Sequence, residues 1–123
     1  MRGRLAVFIV CMTLGGGCAF PQAKLDEAGV IVAEGLEAWK KGGKMADTKS
    51  LPRPIDFFDE LWAAGEALVA YEVAGKHYHE REKMIRVEAR LTVRSPRGVE
   101  RAVEVTYDVE LGTPPKVNNN PMP

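Results

Sequence analysis

Two histidines, separated in the sequence by a single residue, are the side chains best suited to bind a metal ion. His77 and His79 are the only histidines of the chain, and on an extended segment both would point to one side, with Glu80 nearby. Zn²⁺ accepts two imidazoles and a carboxylate, but the sequence indicates no further, distant ligand. We therefore predict no metal and no cofactor, keep His77 and His79 as weak metal candidates, and interpret residues 75–82 as a solvated loop.

Four carboxylates between residues 56 and 66 are the candidates for general acid or base chemistry: Asp56, Asp59, Glu60 and Glu66. Such chemistry requires that burial raises the pKa of one member of a pair. Their position just after Pro54 is explained more simply by helix first-turn and surface charges. With no Ser–His–Asp or Cys–His arrangement in the mature chain, the sequence predicts a protein that is not an enzyme.

Cys18 is the residue for which the sequence predicts covalent modification. Arg2 and Arg4 form a basic start, residues 5–14 are mostly apolar, and three glycines at 15–17 precede Cys18, which is the layout of an export signal. Small residues directly before a cysteine resemble the lipobox of bacterial lipoproteins. That resemblance implies cleavage before Cys18 and a lipid carrying palmitate-type acyl chains on its sulfur, which would anchor the protein in a membrane.

The leader also permits other interpretations. Gly15 stands where the lipobox prefers leucine, and Leu14 lies one position too far upstream. Ordinary cleavage after Ala19 would instead release a soluble exported protein, and an uncleaved anchor is the third alternative. The last is disfavoured because residues 5–20 are fewer than the roughly 20 apolar residues that a spanning helix needs. Cys11 is lost with the leader, so the mature chain is expected to contain no internal disulfide.

Residues 84–111 alternate between apolar and polar side chains, which is the period of a strand with one buried face. A turn at Ser95-Pro96-Arg97-Gly98 divides the stretch into a hairpin. The inner face is expected to comprise Ile85, Val87, Ala89, Leu91, Val93, Val99, Val103, Val105, Tyr107, Val109 and Leu111.

Charge pairing on the outer face of this hairpin predicts its register. Placing Arg94 opposite Glu100 also places Arg90 opposite Glu104 and Arg86 opposite Asp108, whereas a slip by two residues would oppose acidic side chains. The arginines therefore have structural partners. Charge is also balanced, with 17 basic and 17 acidic residues, and aromatic residues for base stacking are not interleaved, so we predict no nucleic-acid partner.

One long helix is predicted before the hairpin. Leu25, Ala28, Val32, Leu36 and Trp39 recur at spacings of three and four, with Asp26 and Glu27 assigned to the first turn and Gly42-Gly43 to the end. Residues 55–63 are predicted as a short helix or turn, residues 66–74 as a strand, and residues 112–117 as a possible edge segment.

These elements predict an α+β fold in which one N-terminal helix packs on a three- to four-stranded antiparallel sheet. That is the outline of cystatin-like and NTF2-like folds. The expected division is a signal peptide at 1–19 with Cys18 as the first mature residue, a tether at 20–24, one domain at 25–117 and a disordered tail at 118–123.

The chain also resembles small bacterial envelope lipoproteins of the kind common in planctomycetes. The matching segments are Ala38-Trp39-Lys40-Lys41-Gly42, Trp62-Ala63-Ala64-Gly65, Leu68, Tyr71-Glu72-Val73, Arg90-Leu91-Thr92-Val93, Val105-Thr106-Tyr107-Asp108-Val109, Gly112-Thr113 and Pro115. Lys116-Val117-Asn118-Asn119 departs from the apolar strand expected there. The resemblance implies an exported protein of the cell envelope, facing the periplasm or exterior and held at the membrane by its N-terminal lipid. We predict that it acts as a non-enzymatic interaction module, which presents a surface or an edge strand to an envelope protein.

Six aromatic residues are predicted to pack between helix and sheet: Trp39, Trp62, Phe57, Phe58, Tyr71 and Tyr107. If the sheet curves strongly, Trp39, Trp62, Tyr71 and Tyr107 would instead line an apolar pocket. The alternative function is therefore an NTF2-like domain that binds a small ligand, with or without catalysis.

Overall fold

The computed structural model describes residues 20–120. In chain order the elements are helix α1 (Gln22–Lys40), a 3₁₀ helix (Met45–Ser50), strand β1 (Asp56–Phe58), the one-turn helix α2 (Glu60–Ala63), and strands β2 (Ala67–His79), β3 (Met84–Arg94), β4 (Glu100–Glu110) and β5 (Lys116–Asn120). The predicted leader with Cys18 and the last three residues of the predicted tail lie outside this range. None of the helices in the described range has the length and apolar character needed to cross a bilayer.

The five strands form one mixed sheet in the order β1-β5-β4-β3-β2. Strands β2 to β5 form an antiparallel meander, and β1 pairs with β5 in parallel. The predicted α+β class with one main helix is confirmed, but the prediction of three or four antiparallel strands is wrong. Strands β1 and β5 are three and five residues long, too short to show a period of two, and β5 includes residues assigned to a disordered tail.

The hairpin of β3 and β4 has the predicted register. Arg94 lies opposite Glu100, Arg90 opposite Glu104 and Arg86 opposite Asp108. The turn is closed by hydrogen bonds between Ser95 and both Gly98 and Val99, and Gly98 supplies the positive φ of 90° that the turn requires. Val99 was assigned to the inner face, which is wrong. It lies in the connection, and 62% of its surface is exposed.

Helix α1 has the predicted apolar stripe, with Ala28, Val32, Leu36 and Trp39 buried. It begins at Gln22, earlier than predicted, so its first turn contains no acidic residue. The helix ends where the glycines predict, and the Gly43 N–H donates to the Ala38 carbonyl at 3.0 Å. The helix packs mainly against β2 and extends over β3, which covers that side of the inner face.

Strand β2 contains two irregularities that the sequence pattern conceals. Its pairing with β3 skips a residue between Leu68 and Ala70, and another between Val73 and Gly75. Each extra residue reverses the face to which the following side chains point. The strand also continues to His79, so the predicted loop at residues 75–82 is wrong and only residues 80–83 form the turn.

Candidate functional site

The two tryptophans stack on each other at the end of α1. Trp39 comes from the last turn of α1 and Trp62 from α2, and their ring centroids lie 5.2 Å apart with an interplanar angle of 8°. The Trp39 Nε1–H donates to the Glu66 carbonyl at 2.9 Å, and the Trp62 Nε1–H donates to the Gly43 carbonyl at 3.2 Å. Both rings are at least nine-tenths buried. Each indole is therefore fixed through its ring and through its N–H group.

Asp59 holds Trp62 and α2 against the sheet. Its side chain is fully buried, and its Oδ1 accepts hydrogen bonds from the backbone N–H groups of Leu61 and Trp62 at 2.7 and 3.1 Å. This is the N-cap arrangement of a helix. Its Oδ2 accepts a hydrogen bond from the Tyr107 hydroxyl on β4 at 2.5 Å. The expectation that Asp59 is a surface charge is therefore wrong, and its carboxylate is used for structure.

Tyr107 and Phe57 complete one aromatic cluster with the two tryptophans. The Phe57 ring meets Trp62 edge-on at 5.8 Å and lies tilted against Tyr107 at 5.6 Å. Burial raises the pKa of Tyr107 well above its ordinary value, and the neighbouring Asp59 carboxylate raises it further. Phe58, also predicted to be in the core, is instead 43% exposed because it points to the other face of β1.

Tyr71 lies apart from this cluster, between α1 and β2. Its hydroxyl donates to the Glu37 Oε1 at 2.7 Å, and the Lys40 Nζ lies 6.0 Å from its ring centroid. Burial, together with the hydrogen bond to Glu37, raises the pKa of Tyr71 to about 12. The structure thus brings together Trp39, Trp62 and Tyr107 of the four residues proposed to line a pocket, and places Tyr71 elsewhere.

A cleft of about 380 Å³ lies beside the tryptophan pair and is named here the Trp cleft. Its lining includes the edges of Trp39 and Trp62, together with Lys40, Lys44 and Glu66. Glu66 Oε2 accepts a hydrogen bond from Arg101 at 2.7 Å, whereas Glu66 Oε1 is buried and has no hydrogen-bond partner within residues 20–120.

The two histidines lie on β2 and not in a loop. His77 pairs with Arg86 and His79 with Met84, so both imidazoles point to the outer face of the sheet, as their spacing indicates. A guanidinium is therefore the neighbour of His77 across the strands. Within residues 20–120 no three His, Cys, Asp or Glu side chains are grouped to hold a metal ion.

The arginines of the outer face are paired with carboxylates. Arg86 Nε lies 3.0 Å from Asp108 Oδ1 and also contacts Glu82, and Arg94 Nη2 lies 2.6 Å from Glu100 Oε2. Arg90 makes longer contacts to two further carboxylates. These three arginines therefore contribute to the pairing of the strands, as the predicted register requires.

The start of the described chain packs on the domain. The Phe20 ring stacks on Tyr78 of β2 with centroids 4.0 Å apart and an angle of 5°. Residues 22–24 already belong to α1, so the predicted tether at residues 20–24 is wrong, and Phe20 packs on the domain. The signal that sequence reasoning missed is the pair of aromatics at positions 20 and 78.

Comparisons with protein-family models, with curated proteins and with solved structures found no match to this chain. The chemistry of its own residues therefore carries the functional argument. That chemistry comprises a basic and apolar N-terminal sequence followed by Cys18, a packed aromatic core, and a cleft lined by Glu66, one of whose carboxylate oxygens has no hydrogen-bond partner within residues 20–120.

Proposed function

We propose that this protein is exported, anchored in a membrane through a lipid on Cys18, and acts as a non-enzymatic interaction module of the cell envelope. The observation that carries the proposal is the leader itself, in which a basic start and an apolar run are followed by Gly15-Gly16-Gly17-Cys18. Close packing of Phe20 on Tyr78 supports it, because a chain that packs on the domain two residues after the cysteine suits an anchored module.

A binding role suits a domain in which many polar side chains bond to other groups of the same domain. The Asp59 carboxylate caps α2, the indole N–H groups bind backbone carbonyls, and the outer arginines pair with carboxylates. The partner we propose is an envelope protein that contacts an exposed surface or the free edge of β2. That strand is 13 residues long and lies at one edge of the sheet, where an extended segment can pair with it.

We further propose a cystatin-like or NTF2-like outline for the domain. In its support, the long helix α1 precedes an antiparallel meander of four strands and packs on the inner face of that meander.

Intact mass of the mature protein, purified from the membrane fraction of its native host, tests the anchor. We expect a chain that begins at Cys18 and has a diacylglyceryl-sized addition. Cys18→Ala should lose both this addition and membrane association. Cys11→Ala is the matched control and should change neither, because Cys11 lies in the part of the leader that is removed. An unmodified chain beginning at Phe20 would refute lipid anchoring and indicate soluble export.

The unpaired Glu66 oxygen favours a second candidate function, the binding of a small ligand in the Trp cleft. The expected ligand has an ammonium or amide donor and an apolar body that fits beside the tryptophans. Benzylamine is a suitable probe, with benzyl alcohol as its uncharged control. Binding should shift the indole N–H resonances of Trp39 and Trp62, and Glu66→Gln should weaken it; unchanged resonances with benzylamine would count against this function.

A further inference from the structure

The domain has two opposite ends, each defined by contacts between α1 and β2. At the first end Phe20 stacks on Tyr78, and Asp26 Oδ1 lies 3.2 Å from Lys76 Nζ. The turn at residues 80–83 lies at this end, which we name the proximal end. At the other end, named the distal end, Trp39 bonds to the Glu66 carbonyl, and the turn at residues 95–98 lies next to Gly65. Helix α1 therefore runs antiparallel to β2 along the whole domain.

The length of α1 separates the two ends. Its 19 residues span about 28 Å at 1.5 Å per residue. Cys18 stands two residues before Phe20, and two residues of extended chain reach at most about 7 Å. A lipid on Cys18 would therefore hold the proximal end close to the bilayer, whereas the distal end lies about one helix length away from this attachment.

The side chains at the proximal end suit a lipid headgroup layer. Tyrosine is enriched at the membrane–water interface, and Tyr78, on which Phe20 stacks, provides one such ring. Lys24, Arg81 and Lys83 are exposed and form no salt bridge with any residue from 20 to 120, so their charges remain available to lipid phosphates. Two acidic residues at this end are paired, Asp26 with Lys76 and Glu82 with Arg86. The exposed Glu80 and Glu110 form no salt bridge within residues 20–120 and are the opposing charges.

We propose that the proximal end rests on phospholipid headgroups, and that the distal end with the Trp cleft faces away from the membrane. This orientation rests on the proposed function, because it requires the lipid on Cys18. It assigns the lipid-facing surface to Phe20, Tyr78, Lys24, Arg81 and Lys83. It also makes the Trp cleft and the turn at residues 95–98 the surfaces that a partner in the envelope can reach.

A fluorescence quenching experiment on the full lipidated protein tests this orientation. Lipidation blocks Cys18, and Cys11 is removed with the leader, so an introduced cysteine is the only free thiol. Glu80→Cys and Arg97→Cys place a bimane label on an exposed residue at the proximal and distal ends. The labelled proteins are reconstituted into vesicles of equal parts phosphatidylethanolamine and phosphatidylglycerol with a spin-labelled headgroup, whose quenching acts only at short range.

We expect several-fold stronger quenching at position 80 than at position 97. Equal quenching at both positions, or stronger quenching at 97, would overturn the orientation. Cosedimentation with the vesicles is measured on the same samples: protein that fails to sediment refutes the anchor, whereas sedimenting protein with equal quenching refutes the orientation alone. A flexible Gly-Ser linker inserted before Phe20 should reduce quenching at position 80 without changing sedimentation. If the linker leaves quenching at position 80 unchanged, the short connection is not what causes the orientation.

Discussion

Replacing Tyr107 by phenylalanine should destabilise the domain by about 2 kcal/mol. The substitution removes one hydroxyl and keeps the ring, which continues to pack against Phe57. It leaves Asp59 Oδ2 without its hydrogen-bond donor in a fully buried position, where water cannot easily replace the hydroxyl. Leaving a buried acceptor unsatisfied costs about 1–3 kcal/mol, and a carboxylate lies in the upper part of that range.

Urea unfolding of the mature chain, followed by the fluorescence of its two tryptophans, measures this cost. The midpoint should fall while the slope m stays unchanged, because the hydroxyl contributes little to the surface exposed on unfolding. Tyr71→Phe is the matched control. It also removes a hydroxyl that donates to a carboxylate, but Tyr71 is only half-buried, so its loss should cost less than about 1 kcal/mol.

A double-mutant cycle separates the hydrogen bond from other effects. Asp59→Ala alone should cost more than Tyr107→Phe, because it also removes the cap from the Leu61 and Trp62 N–H groups. Once Asp59 is alanine, Tyr107→Phe should cost much less than in the native protein. A cost of Tyr107→Phe below about 0.5 kcal/mol, the range of an ordinary surface change, would show that the hydroxyl does not stabilise the buried Asp59 carboxylate.

Three further predictions concern packing, charge and pH. Gly35→Ala should destabilise by about 1–3 kcal/mol in the same urea assay, because an added Cβ would lie 2.3 Å from the Phe57 ring. Arg86→Ala should be partly rescued by Asp108→Ala, since this pair is only about one-fifth exposed. The pKa of Tyr71 is about 12, above its ordinary value of 10. The protonated Tyr71 hydroxyl should therefore contribute fully to the free energy of unfolding below pH 10, and this contribution should be lost as the pH rises toward 12. Tyr71→Phe should reduce that loss.

The first two of these predictions have a control elsewhere in the chain. Gly29→Ala should be nearly neutral, because its added Cβ would meet only the flexible side chain of Lys76. Arg90→Ala should change stability by less than about 1 kcal/mol, since Arg90 and its partner Glu104 are mostly exposed. Equal costs at the two glycines, equal costs at the two arginines, or a pH dependence that Tyr71→Phe leaves intact would contradict the respective argument.

The parts of the fold that the sequence predicts are those with long, uninterrupted periods. Helix α1 shows five apolar residues at helical spacing, and β3 alternates over its whole length. The charges on the hairpin permit only one good pairing, which is why the register could be predicted to the residue.

The parts that it does not predict depend on irregularity or on distant partners. The two extra residues in β2 interrupt the alternation of faces twice. As a result Leu68, Tyr71 and Tyr78 all pair with inward-facing residues of β3, although 68 and 78 are even numbers and 71 is odd. Asp59 could be recognised as a helix cap from its sequence position, but its burial depends on Tyr107, 48 residues away. The Trp cleft likewise combines α1 with segments near residues 43 and 66.

The parallel pairing of β1 with β5 has a consequence for the order of folding. Asp56 pairs with Lys116, so the edge of the sheet forms only when segments sixty residues apart meet. The β3–β4 hairpin requires no such distant closure, and local contacts form first because loop closure costs less entropy. The segment with β1 and α2 is therefore expected to join the sheet late in folding. A chain emerging from the ribosome can form this pairing only after β5 has emerged, and until then β4 presents an unpaired edge to other unfolded chains.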